Sequence, residues 1–352
     1  MSIEEAAVGC LLGTAVGDAL GLPCEGLSAR RQKRWCPTLE GYRMLFGKGL
    51  CSDDTEHSCL LAQAILASGG DEWVFEEDLA RRLRWWLAGL PAGIGFATLR
   101  ALLKLWLFLP RRFRGVRSAG NGPAMRSALL GVCFADDEAR MLRLVQASTR
   151  LTHTDPRAEC GALAVALAAR CSMRGETFDA LVDDLARLGA RNASPALELV
   201  GLLQALRASV VRGEPTDSFM RRLGCTNGVS GYIYRSVPAA LHAWQSHPRD
   251  FAAAVSAVIR CGGDTDTTGA IVGGIVGAGV GSKCIPDRWL DDLVEWPRTV
   301  EWIEDLARKA ARAAHNGATD SHPVSVAGLM ARNALFLVLV LAHGFRRLLP
   351  PY

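Results

Sequence analysis

Glycine returns at every fourth position in two stretches of this chain, at Gly9, Gly13, Gly17 and Gly21 and again at Gly269, Gly273, Gly277 and Gly281. Four-residue spacing lines one face of an α-helix with residues that carry no side chain. Each glycine costs a helix about 1 kcal/mol relative to alanine, so two such ladders point to backbones that must approach something closely. Two readings stand: tight helix packing in a core, or two helices that cross beside the acidic clusters described below.

The rest of the chain is patterned for helices. Ser2-Ile3-Glu4-Glu5 fits a capping box and opens a helix through about Leu20. Helical periodicity then recurs over Glu56 to Ala67, Glu77 to Leu87, Gly95 to Leu107, Asp137 to Ala147, Arg157 to Ser172 and Thr177 to Leu188. It continues over Pro195 to Val211, with Ser194 as a cap, and over Arg235 to Gln245, Asp250 to Ile259 and Thr299 to Ala314. Strand-like alternation is scarce and no hairpin signature stands out. The expected fold is all-α, a compact multi-helix domain over residues 1–317 with long functional loops around 22–55, 108–124 and 212–234.

Residues 318–352 read as a separate tail. Ala334 to Ala342 is an apolar run of about nine residues, whereas a transmembrane helix needs roughly twenty. The run is therefore read as too short to span, as is Ile271 to Val280. The tail is expected to dock on the body or on a partner in assembly, with an interfacial membrane anchor as the alternative.

Nearly half of the 352 residues are apolar, enough for a sizeable core, and the formal net charge is only +4. That balance argues against a chain built to coat nucleic acid, although a small anionic ligand remains compatible with it. Basic runs such as Arg30-Arg31-Gln32-Lys33-Arg34 lack the interleaved aromatics of a nucleic-acid platform. Eleven scattered cysteines, never in a C-x-x-C pair, read as small core residues of a reducing compartment. With Glu4 and Glu5 where a secretory signal carries basic residues, the expected location is cytoplasmic.

Chemistry concentrates in two hydroxyl-carboxylate clusters, Ser52-Asp53-Asp54-Thr55-Glu56 and Asp264-Thr265-Asp266-Thr267-Thr268. Singly, Asp and Thr at helix starts are ordinary N-caps. Brought together without cations, four such carboxylates would repel by up to about 4 kcal/mol per pair at 4 Å and an effective dielectric near 20. A fold that gathers them is expected to hold metal, and oxygen-only donors favour hard ions, chiefly Mg²⁺, with Mn²⁺ or Ca²⁺ behind it.

Other residues join these clusters. Asp18 sits mid-ladder on an apolar helix, where it needs a partner: a backbone amide, an arginine or a metal-bound water. Glu25 lies seven residues on in a proline-containing loop, as a substrate-facing acid or a solvated one. His153 precedes an apolar helix and suits hydrogen bonding more than metal ligation, with capping as the structural alternative. Gly120-Asn121-Gly122 is a turn whose amides could cradle phosphate.

The ordered set Gly17-Asp18-Ala19-Leu20-Gly21 with Glu25, Ser52-Asp53-Asp54-Thr55, Gly120-Asn121-Gly122 with Ala124-Met125-Arg126, Thr152-His153, Ser230-Gly231-Tyr232 and Gly262-Gly263-Asp264-Thr265-Asp266-Thr267 resembles the ADP-ribosylglycohydrolase family. The resemblance covers about residues 8–290. It implies an all-α fold with a dinuclear Mg²⁺ centre, held by Ser52, Asp53 and Asp54 on one side and by Asp264, Asp266 and Thr267 on the other. It implies ADP-ribose bound over the metals, with Asp18, Gly120, Asn121, Gly122, His153 and Tyr232 on the substrate side. Glu25 corresponds to the family's mobile acidic residue near the scissile bond, and with Asp53 and Asp266 would carry the chemistry. Members cleave the bond from C1″ of ADP-ribose to a protein side chain, commonly arginine and in some branches serine. One departure is visible: Ser52 stands where many members have threonine, which keeps the hydroxyl but loosens its rotamer.

Overall fold

The computed structural model describes residues 1–36, 38–189 and 193–347, with only the backbone of Ala193. Helix α1 (Ile3–Gly21) opens on the expected capping box: Ser2 Oγ accepts from Glu5 N at 3.1 Å, and Ser2 N donates to Glu5 Oε2 at 2.8 Å. Every residue of α1 from Ala6 to Gly21 is buried. A helix apolar on all sides belongs at the centre of a fold.

Its partner is a helix from near the other end of the chain. Among the helices that build the site, α2 spans Asp53–Ser68, α3 Glu72–Ala88, α4 Pro156–Arg174, α5 Ile233–Ser246, α6 Thr265–Val280, α7 Val300–Asn316 and α8 Val326–Arg346. Helices α1 and α6 run antiparallel along their glycine ladders. A Cβ placed on Gly9, Gly13, Gly17 or Gly21 would overlap the carbonyl oxygen of Gly277, Gly273, Gly269 or Thr265 respectively. The reverse holds for Gly269, Gly273 and Gly277 against Gly17, Gly13 and Gly9. Both readings of the ladders therefore describe one contact: it is the tightest kind of core packing, and it ends beside the acidic clusters. Helices α2, α4 and α7 pack around this pair.

The long loops carry more structure than periodicity suggested. A short helix, Ala29–Trp35, lies within 22–55, another, Thr216–Arg222, within 212–234, and a single turn, Arg111–Arg114, within 108–124. Two-residue strands β1 (Leu27–Ser28) and β2 (Gly262–Gly263) pair antiparallel, with Leu27 opposite Gly263 and Ser28 opposite Gly262. Helix Ala193–Val211 starts ahead of Ser194, which therefore sits in its first turn.

The tail departs from its expected length. Helix α8 has 21 residues and an 18-residue stretch of mean hydropathy 1.8, so by length and composition it could cross a membrane, as could Ile3–Cys24 and Ser194–Val211. The first of these is wholly buried in the fold. Counting only the run from Ala334 missed the turns around Arg332 and Asn333, whose polar groups face inward. Arg332 Nη2 donates to Cys51 O at 2.5 Å and Asn333 Nδ2 to Gly89 O at 2.8 Å. Phe336 joins Leu22 and Leu50 in a small second core. The outward face is apolar, exposing Val326, Met330, Leu335, Val338, Leu341 and Phe345. Leu348 to Tyr352, the last part of the predicted tail, lie outside the described residues.

Candidate active site

The antiparallel glycine contact brings the end of α1, the start of α2 and the start of α6 to one place. Thr265 Oγ1 donates to Gly21 O at 2.8 Å, fastening α6 to α1. Ser52 caps α2, its Oγ accepting from Asp54 N at 3.3 Å and donating to Asp54 Oδ2 at 3.0 Å. Asp264 holds the equivalent position at α6. The two clusters, far apart in sequence, meet directly where Thr267 Oγ1 donates to Asp54 Oδ2 at 3.2 Å.

Asp18 stands behind this meeting point. Its Oδ2 accepts from Ser52 N at 2.9 Å, Thr55 N at 3.1 Å and Thr55 Oγ1 at 2.6 Å, and its Oδ1 from Ser52 N at 3.0 Å. The partner that a charge in mid-ladder required is thus the exposed amide end of α2, where the helix dipole also favours an anion. Burial pushes the Asp18 carboxyl up to about 7 against these hydrogen bonds, which favour its charged form. Expected on the substrate side, Asp18 instead orients the turn that presents Ser52, Asp53 and Asp54.

The gathered carboxylates raise one another's pKa. Asp53 is pushed well above the ordinary range by burial and then by Asp18, Glu56 and Glu25. Burial acts first on Asp54 as well, followed by Asp18, Asp53 and Asp264. Asp266 is raised by burial, Glu25, Asp264 and Asp54. Glu25, at the cleft mouth, is raised by desolvation and by Asp264, and lowered by Arg347.

A cleft of about 530 Å³ opens over this cluster, bounded by Glu25, Asp53, Asp264, Asp266 and Thr267 on one side and by the Gly120–Gly122 turn and His153 on the other. Asn121 Nδ2 donates to Asp264 Oδ2 at 2.6 Å, and Asn121 N to Gly231 O at 3.0 Å, so the turn also holds a carboxylate in place. The turn closes on the imidazole of His153. A Cβ on Gly120 would lie 3.0 Å from Nε2, and one on Gly122 3.1 Å from Cε1. His153 pairs with Thr152 Oγ1 at 2.9 Å, and burial drops its pKa to about 3, keeping the ring neutral. Tyr232, expected on the substrate side, lies beside the cleft and not in its lining, which takes in Ser230 and Gly231; its backbone bridges to Gly120 and its side chain is exposed. A larger cavity, about 1000 Å³, lies elsewhere beside Ala29–Trp35 and Thr216–Arg222 and touches none of these carboxylates.

Three contributors carried no assigned role in the sequence. Thr55 supplies two of the donors to Asp18. Arg126, fully buried, donates to Gly122 O at 3.0 Å and to Thr152 Oγ1 at 3.0 Å, tying the glycine turn to the His153 segment. It stands in the motif Ala124-Met125-Arg126, which was its only signal. The third is α8, whose Phe336, His343 and Arg347 come close to Glu25 and which no motif marked.

The donor set suits a hard cation in its chemistry. Asp54 Oδ1 and Asp266 Oδ1 are buried carboxylate oxygens without a hydrogen-bond donor, a costly state that a cation would relieve. Among the described residues, no three His, Cys, Asp or Glu side chains are gathered tightly enough to hold an ion, so the expected dinuclear centre is not displayed.

Residues 1–319 match the sequence profile of the ADP-ribosylglycohydrolase family. The chain is 28% identical over 346 residues to ADP-ribosylhydrolase ARH3 of Gallus gallus, covering 85% of this chain and 91% of that protein. It is 26% identical over 310 residues to ADP-ribosylarginine hydrolase Tri1 of Serratia proteamaculans, covering 85% and 78%. A solved ADP-ribosylglycohydrolase-related protein complex superposes with a TM-score of 0.64 at 29% identity, over 89% of this chain and 99% of that one. The chain belongs to the ADP-ribosylglycohydrolase family, hydrolases that act on ADP-ribosylated substrates.

Proposed function

We propose that the protein removes mono-ADP-ribose from arginine side chains of modified proteins, with two Mg²⁺ ions, replaceable by Mn²⁺, held by Ser52, Asp53 and Asp54 from α2 and by Asp264, Asp266 and Thr267 from α6. The observation that carries this reading is the junction of the two clusters through Thr267 and Asp54, with a donorless carboxylate oxygen on each side of it. Bound there, the metal would polarise water and stabilise charge developing on oxygen.

The chain's own groups do the rest. The Gly120–Gly122 turn, its Gly120 and Asn121 amides taken by Ser118 Oγ and Gly231 O, lies along the cleft opposite the acids, where its close backbone leaves room for the phosphates of ADP-ribose. Neutral His153 lines the path of the ribose and base, with Tyr232 beside the cleft. Water oxygen adds to C1″ as the bond from C1″ to the guanidine nitrogen breaks. Glu25, with its raised pKa, gives its proton to the leaving guanidine nitrogen, and the proton lost by the attacking water returns to the Glu25 carboxylate. The arginine linkage follows the relative named as an ADP-ribosylarginine hydrolase, and an acid-rich cleft favours a cationic acceptor.

The test is incubation with defined ADP-ribosyl-arginine and ADP-ribosyl-serine peptides, before and after chelation and with Mg²⁺ restored. Release from arginine that is lost on chelation and regained with Mg²⁺ is expected. Release from serine alone, or cleavage of O-acetyl-ADP-ribose in place of both, would overturn the arginine assignment.

A further inference from the structure

The family profile ends at residue 319, yet the structure places a later segment against the site. Arg347, just past α8, donates from Nη1 to Glu25 O at 2.6 Å and from Nη2 to Pro23 O at 2.8 Å. His343 Nε2 reaches the same Pro23 carbonyl at 3.1 Å. His343 and Arg347 thus hold the carbonyls of Pro23 and Glu25, on either side of Cys24, in the segment bearing Glu25. Arg347 is itself steadied over the Trp35 ring, with its Cζ 5.9 Å from the centroid.

The same helix walls a second, smaller cavity of about 140 Å³. On one side stand Glu25, Asp53 and Asp266; on the other stand Phe336, Val340 and Gly344. The three acids also border the 530 Å³ cleft, so they separate a large compartment from a small one. The cleft alone has room for a nucleotide.

We infer that α8 is the acceptor-side wall of the site: it positions the Glu25 loop through Arg347 and encloses, against Phe336, Val340 and Gly344, a pocket for the compact end of the side chain from which ADP-ribose is removed. This rests on the hydrolase reading above. With ADP-ribose in the cleft, C1″ faces the dividing acids, and the leaving group departs into the compartment beyond them. The apolar wall suits the methylenes of an acceptor side chain, and the Arg347 guanidinium, spent on two carbonyls, is a positioning group. A region outside the family-matched segment would then set which acceptors this chain accepts.

Two full-length variants test the inference. Gly344 borders the cavity and a Cβ there meets nothing within 4 Å, so Gly344→Leu adds bulk at the cavity's edge with no clash at its β-carbon. It should lower kcat/KM for an ADP-ribosylated peptide by about tenfold or more, while the calorimetric Kd for free ADP-ribose changes by less than about twofold. Arg347→Ala should lower kcat about tenfold with little change in KM, should raise amide exchange across residues 22–28, and should be partly rescued by Arg347→Lys. Unchanged peptide turnover in Gly344→Leu, or an equal loss of ADP-ribose binding, would overturn the pocket. Unaltered exchange across 22–28 in Arg347→Ala would overturn the positioning role. A wild-type protein that binds ADP-ribose but cleaves no peptide would instead defeat the hydrolase reading, and the exchange measurement would still decide whether Arg347 holds the loop.

Discussion

Arg298 Nη1 and Glu56 Oε1 lie 2.7 Å apart, each side chain 3% exposed. Trp86 Nε1 also donates to Glu56 at 2.5 Å, and Arg332 from α8 lies 3.5 Å from Glu56 and 2.9 Å from Glu295. Burial works against the Glu56 charge, but Arg298 and Arg332 together hold its pKa below the usual range. Removing one member of a buried pair leaves the other uncompensated at a cost of about 3–5 kcal/mol. Glu56→Gln should lose that much in urea unfolding, and Glu56→Leu combined with Arg298→Met should lose less than Glu56→Gln alone.

Above about pH 8, where Asp18 is ionised despite a pKa raised to about 7, Asp18→Asn keeps the shape of the side chain but removes the charge that accepts from the first turn of α2. Hydrogen bonds to a charged acceptor contribute about 1.5–3 kcal/mol each, so a stability loss of about 2–3 kcal/mol is expected in denaturant titration. ADP-ribose binding should weaken in parallel, because Asp53 and Asp54 are presented by that turn.

If Mg²⁺ relieves the mutual repulsion of Asp54 and Asp266, the melting temperature should rise with Mg²⁺ concentration as mass action requires. Asp266→Asn should abolish most of that rise and all turnover. A melting temperature indifferent to Mg²⁺ in the wild type would remove the metal from the proposal.

His242 gives a pH-dependence far from the site. The ring is buried, stacked on Phe219, with Thr216 Oγ1 3.0 Å from Nδ1 and Ser209 Oγ 3.0 Å from Nε2. Ser209 donates onward to Glu214 at 2.5 Å, so the neutral ring donates from Nε2 and accepts at Nδ1. Burial drops its pKa from 6.5 to about 4. Above pH 6.5 neither folded nor unfolded ring binds a proton, and stability is flat. As pH falls from 6.5 toward 4 the unfolded state alone takes up the proton, and up to about 3 kcal/mol is lost. Chemical denaturation between pH 7 and 5 should show this slope, and His242→Gln should reduce it, leaving the share of the other buried rings such as His153.

Gly273→Ala drives a methyl group into Gly13 O and should destabilise toward the upper end of about 1–3 kcal/mol. Gly201→Ala, on an open helix face, should instead stabilise by about 0.5–1 kcal/mol. Paired melting curves check both signs.

Much of the helical architecture was legible because helices α1 to α7 rest on apolar periodicity, caps and glycine spacing, all local signals. The junction of the two clusters was legible as chemistry, since like charges at two helix starts made sense only together. Two things were not legible. Asp18 was placed on the substrate side because nothing local tells which face of a helix meets the amide end of another; that is fixed by Ser52 and Thr55, more than thirty residues away. Helix α8 was cut short because Arg332 and Asn333 looked like the end of an apolar run, whereas distant Glu295, Cys51 and Gly89 make them the docked face.

The glycine seam between α1 and α6 works as a caliper for the site. Because main chain rests on main chain from Gly9 to Gly21, the gap between the acid-bearing ends of the helices is set by peptide thickness, with no rotamer to relax or tighten it. Bulk added along the seam prises the jaws apart, and no smaller residue exists to close them further. Adjustment of this site to a new substrate must therefore come from its loops and from α8, around jaws whose span is fixed.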